Sequence, residues 1–160
     1  MRKLSSLCFL LSGCSLVGAS EKCEPGDNKV YHSAVISFSL LEQRTSRNLL
    51  AWNGPYYPDS VKVVASTGEV VFPGPLRPDG YVDFHALKYE MDKLPLGIDL
   101  VRTYYLRLNR ADQDTFALSF RLKNNRCDFA EFERYTLRYN GRIVAEGEGL
   151  YLPSLTLYKP

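Results

Sequence analysis

Hydrophobic and polar positions alternate along much of the chain after Lys29. Between Ala34 and Leu41, Ile36, Phe38 and Leu40 fall on one face and Ser37 and Ser39 on the other. That period of two is the signature of a half-buried strand. Thr115 to Leu122 carries it most clearly, with Phe116, Leu118, Phe120 and Leu122 set against Thr115, Ala117, Ser119 and Arg121. Thr103 to Asn109 places Tyr104, Leu106 and Leu108 on one face. Val61 to Ala65 and Glu69 to Phe72 flank Ser66-Thr67-Gly68 and read as a short hairpin. Arg134 to Tyr139 and Arg142 to Glu146 flank Asn140-Gly141, the strongest hairpin signal in the chain. Leu150 to Tyr158 is the last strand, with Pro153 marking a bulge or an edge position.

Two local readings stay open. A two-residue turn at Asn140-Gly141 pairs Leu137 with Val144, whereas a three-residue loop with a glycine bulge pairs Leu137 with Ile143. One residue of slip exchanges every face. The second concerns Phe84, Leu87, Met91 and Leu94, which recur at a helical spacing. Asp83 is a candidate N-cap there and Pro95 a stop. A strand through Tyr81 to Phe84 competes for the same residues.

Seven to nine short strands with frequent turn signals predict an all-β fold. The expected form is an antiparallel β-sandwich of immunoglobulin-like or transthyretin-like kind, with at most one short helix. A closed barrel is the alternative. Composition agrees: 160 residues with 45% hydrophobic and 24% charged side chains make one ordinary domain rather than a disordered chain.

The start of the chain has a different pattern. Arg2 and Lys3 precede an apolar run from Leu4 to Leu11, the order of an export signal. Eight apolar residues are far fewer than the ~20 that span a bilayer as a helix. The run ends in Leu11-Ser12-Gly13-Cys14, which resembles the lipobox of bacterial lipoproteins. That resemblance implies lipid on the Cys14 thiol, cleavage before Cys14 and acylation of its new amine. Small Ser12 and Gly13 would give a peptidase access to the bond. Several acyl chains would hold firmly, since each buried CH₂ adds about 0.8 kcal/mol. An ordinary signal cut after Ala19 is the alternative. Ser15, rather than Asp, follows the cysteine; by the enterobacterial sorting rule this implies the outer membrane. The expected organisation is a signal over 1–13, a lipidated tether over 14–29 and a β-sandwich domain over 30–160.

Removing residues 1–13 changes the arithmetic. The formal charge of +2 loses Arg2 and Lys3, leaving eighteen basic against eighteen acidic side chains. A neutral domain offers no field to steer nucleic acid or an anionic membrane. Of the four cysteines, Cys8 leaves with the signal and Cys14 takes lipid. Cys23 and Cys127 remain, an even pair in an exported, oxidising space, and are expected to form a disulfide. Two buried free thiols are the alternative. The bridge would leave only Ser15 to Lys22 between anchor and body, a reach under ~30 Å. The Cys127 end would then face the membrane, and the turns at Arg110 to Asp114 and Asn140-Gly141 would face away.

Trp52-Asn53-Gly54-Pro55-Tyr56-Tyr57-Pro58 carries the candidate ligand-binding residues Trp52, Tyr56 and Tyr57. Loop aromatics suit a sugar, peptide or protein contact. The competing and favoured expectation is that the loop folds back and its rings cover one end of the core. Asn109, Asp112 and Asp114 could offer oxygens to Ca²⁺ but lack the spacing of an EF-hand, so a solvated turn is expected. His32 and His85 are isolated from any metal-ligand spacing, and neither a nucleophile elbow nor a phosphate-binding loop occurs. Glu90 and Asp92 near His85 would not share a helix face. Neither a catalytic set, a metal nor a cofactor is expected. Arg107, Arg121, Arg138 and Arg142, with Glu131, Glu133 and Glu146, read as a solvated mixed-charge face.

Leu94-Pro95-Leu96, Thr103-Tyr104-Tyr105-Leu106, Asp112-Gln113-Asp114-Thr115 and Cys127 together resemble small cell-envelope lipoproteins of Bacteroidota type. Those families place one cysteine soon after the lipidated one and another late. The resemblance spans roughly residues 94 to 127 and carries no settled activity. The expectation is a lipid-anchored envelope protein, a non-catalytic binding or structural module whose partners are the membrane, through Cys14, and an envelope protein or glycan. Recognition of a glycan or peptide by the Trp52–Tyr57 loop is the second reading, and a small hydrolase the third.

Overall fold

The structure is a computed structural model that describes residues 34–56, 60–72, 79–88 and 90–160. Nine strands form among the described residues: β1 (Ala34–Glu42), β2 (Lys62–Ala65), β3 (Val70–Phe72), β4 (Tyr81–Leu87), β5 (Asp99–Arg107), β6 (Gln113–Asn124), β7 (Ala130–Tyr139), β8 (Arg142–Gly149) and β9 (Ser154–Lys159). They make a three-stranded sheet, β4-β1-β9, and a six-stranded sheet, β3-β2-β5-β6-β7-β8. The fold is all-β and sandwich-like, as the alternation predicted. One pairing departs from a purely antiparallel sandwich: β9 runs parallel to β1, with Phe38 beside Leu155 and Leu40 beside Leu157.

The inward faces are the predicted ones. Ile36, Phe38 and Leu40 of β1 and Phe116, Leu118, Phe120 and Leu122 of β6 are all buried in one core cluster. Aromatic rings join the two sheets. Phe38 lies 5.1 Å and Phe84 5.7 Å from Phe116, centroid to centroid, and Phe84 lies 5.3 Å from Tyr104. Tilted pairs at these separations add to the area the rings remove from water. The Tyr104 hydroxyl donates to the Ala86 carbonyl across the interface.

The helix-like spacing from Phe84 to Leu94 does not give a helix. Phe84 and Leu87 belong to β4, and only Met91–Lys93 turns, as one 3-10 turn. Burial of Phe84 against Tyr104 and Phe116 outweighs the local pattern. Other strands are longer than expected: β5 starts at Asp99, β7 at Ala130, and β6 runs on to Asn124. The last strand begins only at Ser154, after Pro153.

The Asn140-Gly141 hairpin takes neither of the two registers in full. Tyr139 pairs with Arg142 and Arg138 with Ile143, so the turn has two residues. Both turn residues have positive φ, 46° and 79°, as a type I′ turn requires. One residue later a bulge shifts the register, and Leu137 pairs with Ala145.

The meander gives the sandwich two distinct poles. The β6–β7 turn, which carries Cys127, lies at one pole, together with the start of β1 and the start of β5. The β5–β6 turn and Asn140-Gly141 lie at the other, with the end of β9. This is the polar arrangement that the strand order implied.

Candidate functional site

The pole opposite Cys127 carries the aromatic loop. After β1 the chain is pinned step by step. Leu41 bridges to Asn48, and the Asn48 side chain accepts from the Leu50 amide at 2.9 Å while donating to the Asp79 carbonyl at 3.1 Å. Leu49 and Leu50 are buried. The Gly54 amide then closes a tight turn on the Ala51 carbonyl at 2.7 Å. Arg47 Nη2 donates to the Asn53 carbonyl at 2.6 Å.

Trp52 stands at the tip of this turn and is 82% exposed. The expectation that the loop's rings cover the core is therefore wrong for Trp52. It holds for Tyr56, which packs on the core and donates its hydroxyl to Asp112 Oδ2 at 2.5 Å. The third candidate, Tyr57, lies outside the described residues. The sequence grouped these aromatics as one patch; Trp52 and Tyr56 instead divide into an exposed ring and an anchor.

Tyr56 ends in a polar cluster. Lys159 Nζ donates to Asp112 Oδ1 and to Asp114 Oδ2, each at 2.7 Å. The Tyr139 hydroxyl donates to Asp114 Oδ2 at 2.7 Å, and Asn140 Nδ2 donates to Asp114 Oδ1 at 2.8 Å. Asp114 is only 5% exposed, so the expected solvated turn is corrected there. Every oxygen of the two carboxylates has a donor, which is what keeps a buried charge tolerable. Asn109 does behave as a turn former: its Oδ1 accepts from the amides of Ala111 and Asp112 at 2.8 and 2.9 Å. The cation that meets both aspartates is Lys159.

The electrostatics follow. Burial and the hydrogen bond to Asp112 push the Tyr56 hydroxyl well above its ordinary range, and burial with the Asp114 bond does the same for Tyr139. Burial opposes ionisation of Asp112, yet the Lys159 and Tyr56 bonds hold its carboxyl below the usual carboxylate range. Burial likewise opposes the charge on Lys159, and its two aspartates still raise it. The cluster is thus one cation between two anions, closed by two phenols that stay protonated. It can hold a loop rigid.

Lys159 was not singled out from the sequence, although a signal existed. Leu155 and Leu157 face inward on β9, which puts Lys159 at the same parity. Asp114 stands likewise at the inward parity of Phe116 and Leu118. Two opposite charges at inward positions at strand ends are candidates to meet.

The remaining candidates are placed as follows. Asp99 receives Arg134 Nη2 at 2.8 Å and Arg121 Nη2 at 2.9 Å on the outer face of the large sheet. Both bonds hold Asp99 below its ordinary range. Arg142 pairs with the inward-facing Tyr139 and so does not share that face. His85 and Glu90 line one open cleft of about 410 Å³ with Glu69, Lys88 and Arg102. Asp92 instead accepts from the Ala130 amide. Their proximity was discounted on the assumption of a helix that does not form. Among the described residues, no group of His, Cys, Asp and Glu is arranged to hold a metal. Cys127 sits in the β6–β7 turn, where Asn125 Oδ1 accepts its amide at 2.9 Å. Cys14, Cys23 and His32 lie outside the described residues. No helix among the described residues is long and apolar enough to cross a membrane.

What the fold and the pole define is a β-sandwich that displays one tryptophan on a braced loop. Comparison with protein-family models, with curated proteins and with solved structures returns no match.

Proposed function

We propose that this is a lipid-anchored cell-envelope protein that acts as a non-catalytic binding or structural module, attached through Cys14 to the outer membrane. The observation that carries the reading is Leu11-Ser12-Gly13-Cys14 behind a basic and then apolar leader. Two features of the body favour it. The chain enters β1 at Ala34, at the Cys127 pole, so a tether from Cys14 leads to one end of the sandwich and leaves the other free. Cys127 is the only cysteine among the described residues. A disulfide partner for it would come from Cys8, Cys14 or Cys23. With Cys8 cut away and Cys14 lipidated, Cys23 is the partner we assign.

Metabolic labelling with a fatty-acid probe tests the anchor. Label is expected on the wild-type chain and lost in Cys14→Ser; label that survives the substitution defeats the reading. A thiol count on the unreduced, denatured mature chain should find no free thiol, whereas two would reject the bridge.

A second reading rests on Trp52. An exposed ring on a loop braced by Gly54, Arg47 and Tyr56 loses little conformational freedom on contact, which favours a glycan or peptide ligand. Glycan-array binding that disappears in Trp52→Ala supports it; binding unchanged by Trp52→Ala removes it.

A further inference from the structure

We infer that Lys62, Arg107 and Arg110 form a binding site for the carboxylate of an acidic polysaccharide, at the pole that carries Trp52. The inference rests on the glycan reading and deepens it, by naming the charge the glycan carries and the residues that meet it.

The outer face of the large sheet carries two charged rows, one at each end of the β5–β6 ladder. At one end Asp99 stands opposite Arg121, and Arg121 opposite Arg134. At the other, Lys62 stands opposite Arg107, and Arg107 opposite Gln113. Their neighbours Val63, Leu106 and Asp114 are buried, so Lys62, Arg107 and Gln113 face out. Like charges directly opposite one another on a sheet repel. In the first row Asp99 resolves this by accepting from both arginines, at 2.9 and 2.8 Å. In the second row the third member is Gln113, which is neutral. Arg110 adds another cation from the β5–β6 turn, and Ser60 and Asn109 complete an open cleft of about 750 Å³. Among the described residues no Asp or Glu lines this cleft, and Lys62, Arg107 and Arg110 make no ion pair. Asp112, two positions from Arg110, is already bonded to Lys159 and Tyr56. Departures of this kind from sheet design concentrate at functional sites.

The lining selects the ligand. The planar fork of arginine fits a carboxylate, as Arg121 does in this same sheet, where Nε and Nη2 donate to the two oxygens of Asp99. Ser60, Asn109 and Gln113 suit hydroxyl groups, and among the described residues no apolar side chain lines the cleft to receive one from a peptide. Asn109 Oδ1 is taken by the amides of Ala111 and Asp112, which leaves Nδ2 as its donor. Three cations are few for nucleic acid, whose binders neutralise roughly six to ten phosphates. The aromatic loop is tied to the same turn. Tyr56 bonds to Asp112, and Ser60 donates to the Leu108 carbonyl at 2.8 Å. An exposed indole and a cationic cleft at one pole offer a face to a sugar ring and a charge to its carboxylate.

The experiment titrates fluorescent polygalacturonate, with a carboxylate on every sugar, into the full chain in a neutral detergent. Neutral dextran, dextran sulfate and single-stranded DNA are compared with it. The uronate polymer should bind, and more weakly as salt rises. Arg107→Gln and Lys62→Gln should each weaken it at least about tenfold, the scale of a lost hydrogen bond to a charged group. Arg142→Gln removes the same charge from the edge strand β8 and should leave binding unchanged. An equal loss in Arg142→Gln, or equal binding of single-stranded DNA, would mean attraction to any polyanion and overturns the site. Binding of dextran sulfate alone overturns the carboxylate. No binding of polygalacturonate overturns the site as well, and Trp52-dependent binding of neutral glycans on the array then leaves the glycan reading standing. Both substituted side chains are exposed, and either variant decides if the other fails to fold.

Discussion

Lys159 Nζ lies 2.7 Å from Asp114 Oδ2, although the residues are 45 positions apart in the chain. The bond runs from the last strand of the small sheet to the central region of the large one and closes one end of the sandwich. Removing one partner of a buried pair typically costs about 3–5 kcal/mol, because the other is left charged and dry. Lys159 keeps some contact with water, so Lys159→Met should cost about 3 kcal/mol, at the lower end of that range. Urea unfolding measures it. Adding Asp114→Asn to that variant should recover part of the loss; a strictly additive double variant would mean that the two residues do not interact.

The same cluster sets a pH window. The Asp112 carboxyl titrates lower in the folded protein than an ordinary carboxylate, burial notwithstanding, because Lys159 and Tyr56 bond to its charged form. Its stabilisation is full above the unfolded value near ~3.9 and is lost as pH falls through the lower folded value. Lys159 titrates higher than an ordinary lysine, so its stabilisation is full below ~10.4 and is lost as pH rises through the folded value. Unfolding free energy should therefore hold between these limits and fall at both ends. In Asp112→Asn the acid limb should be shallower. An unchanged slope would show that other carboxylates carry the acid response.

Gly54 has no room for a side chain. A Cβ there would come within 2.4 Å of the Leu49 carbonyl oxygen and 2.8 Å of that of Ala51. Both obstacles are backbone, so Gly54→Ala must move the turn. A loss of about 1–3 kcal/mol is expected, as for other overpacked positions. The cleaner readout is the environment of Trp52, whose emission should shift in Gly54→Ala if the turn holds the ring in place.

Trp52→Ala should leave stability within about 0.5 kcal/mol of wild type, the range for exposed positions. In the native chain, Trp52 emission should be water-like and quenched freely by iodide. A blue-shifted, protected emission would mean that the ring is packed on the body, and would remove it as a display residue.

The alternation that reports which side chains face inward also gave the strands. β1, β6, β7 and the Asn140-Gly141 turn could be read because each declares itself within a few residues. Strand partners are another matter. Nothing local in Phe38 or Leu155 states that β1 and β9 lie side by side, or that they run parallel. The Phe84-Leu87-Met91-Leu94 spacing misled because a period is only a local preference, and contact with Tyr104 and Phe116 decided the outcome. The polar cluster was half legible. Asp112 and Asp114 were visible as turn residues, but their cation arrives from the far end of the chain. Trp52 and Tyr56 looked equivalent in sequence, and only the acceptor at Asp112 separates their roles.

The parallel pairing of β1 and β9 has a mechanical consequence. The first and last strands enter at the same pole and leave in the same direction, with Ser37 beside Ser154 and Glu42 beside Lys159. A pull between Ala34 and the end of β9 is therefore directed along both strands, nearly at right angles to the bonds that join them. Those bonds are loaded together, in shear, rather than peeled apart one after another. A domain pulled between the start of its first strand and the end of its last would resist as a lap joint does, not as a zipper.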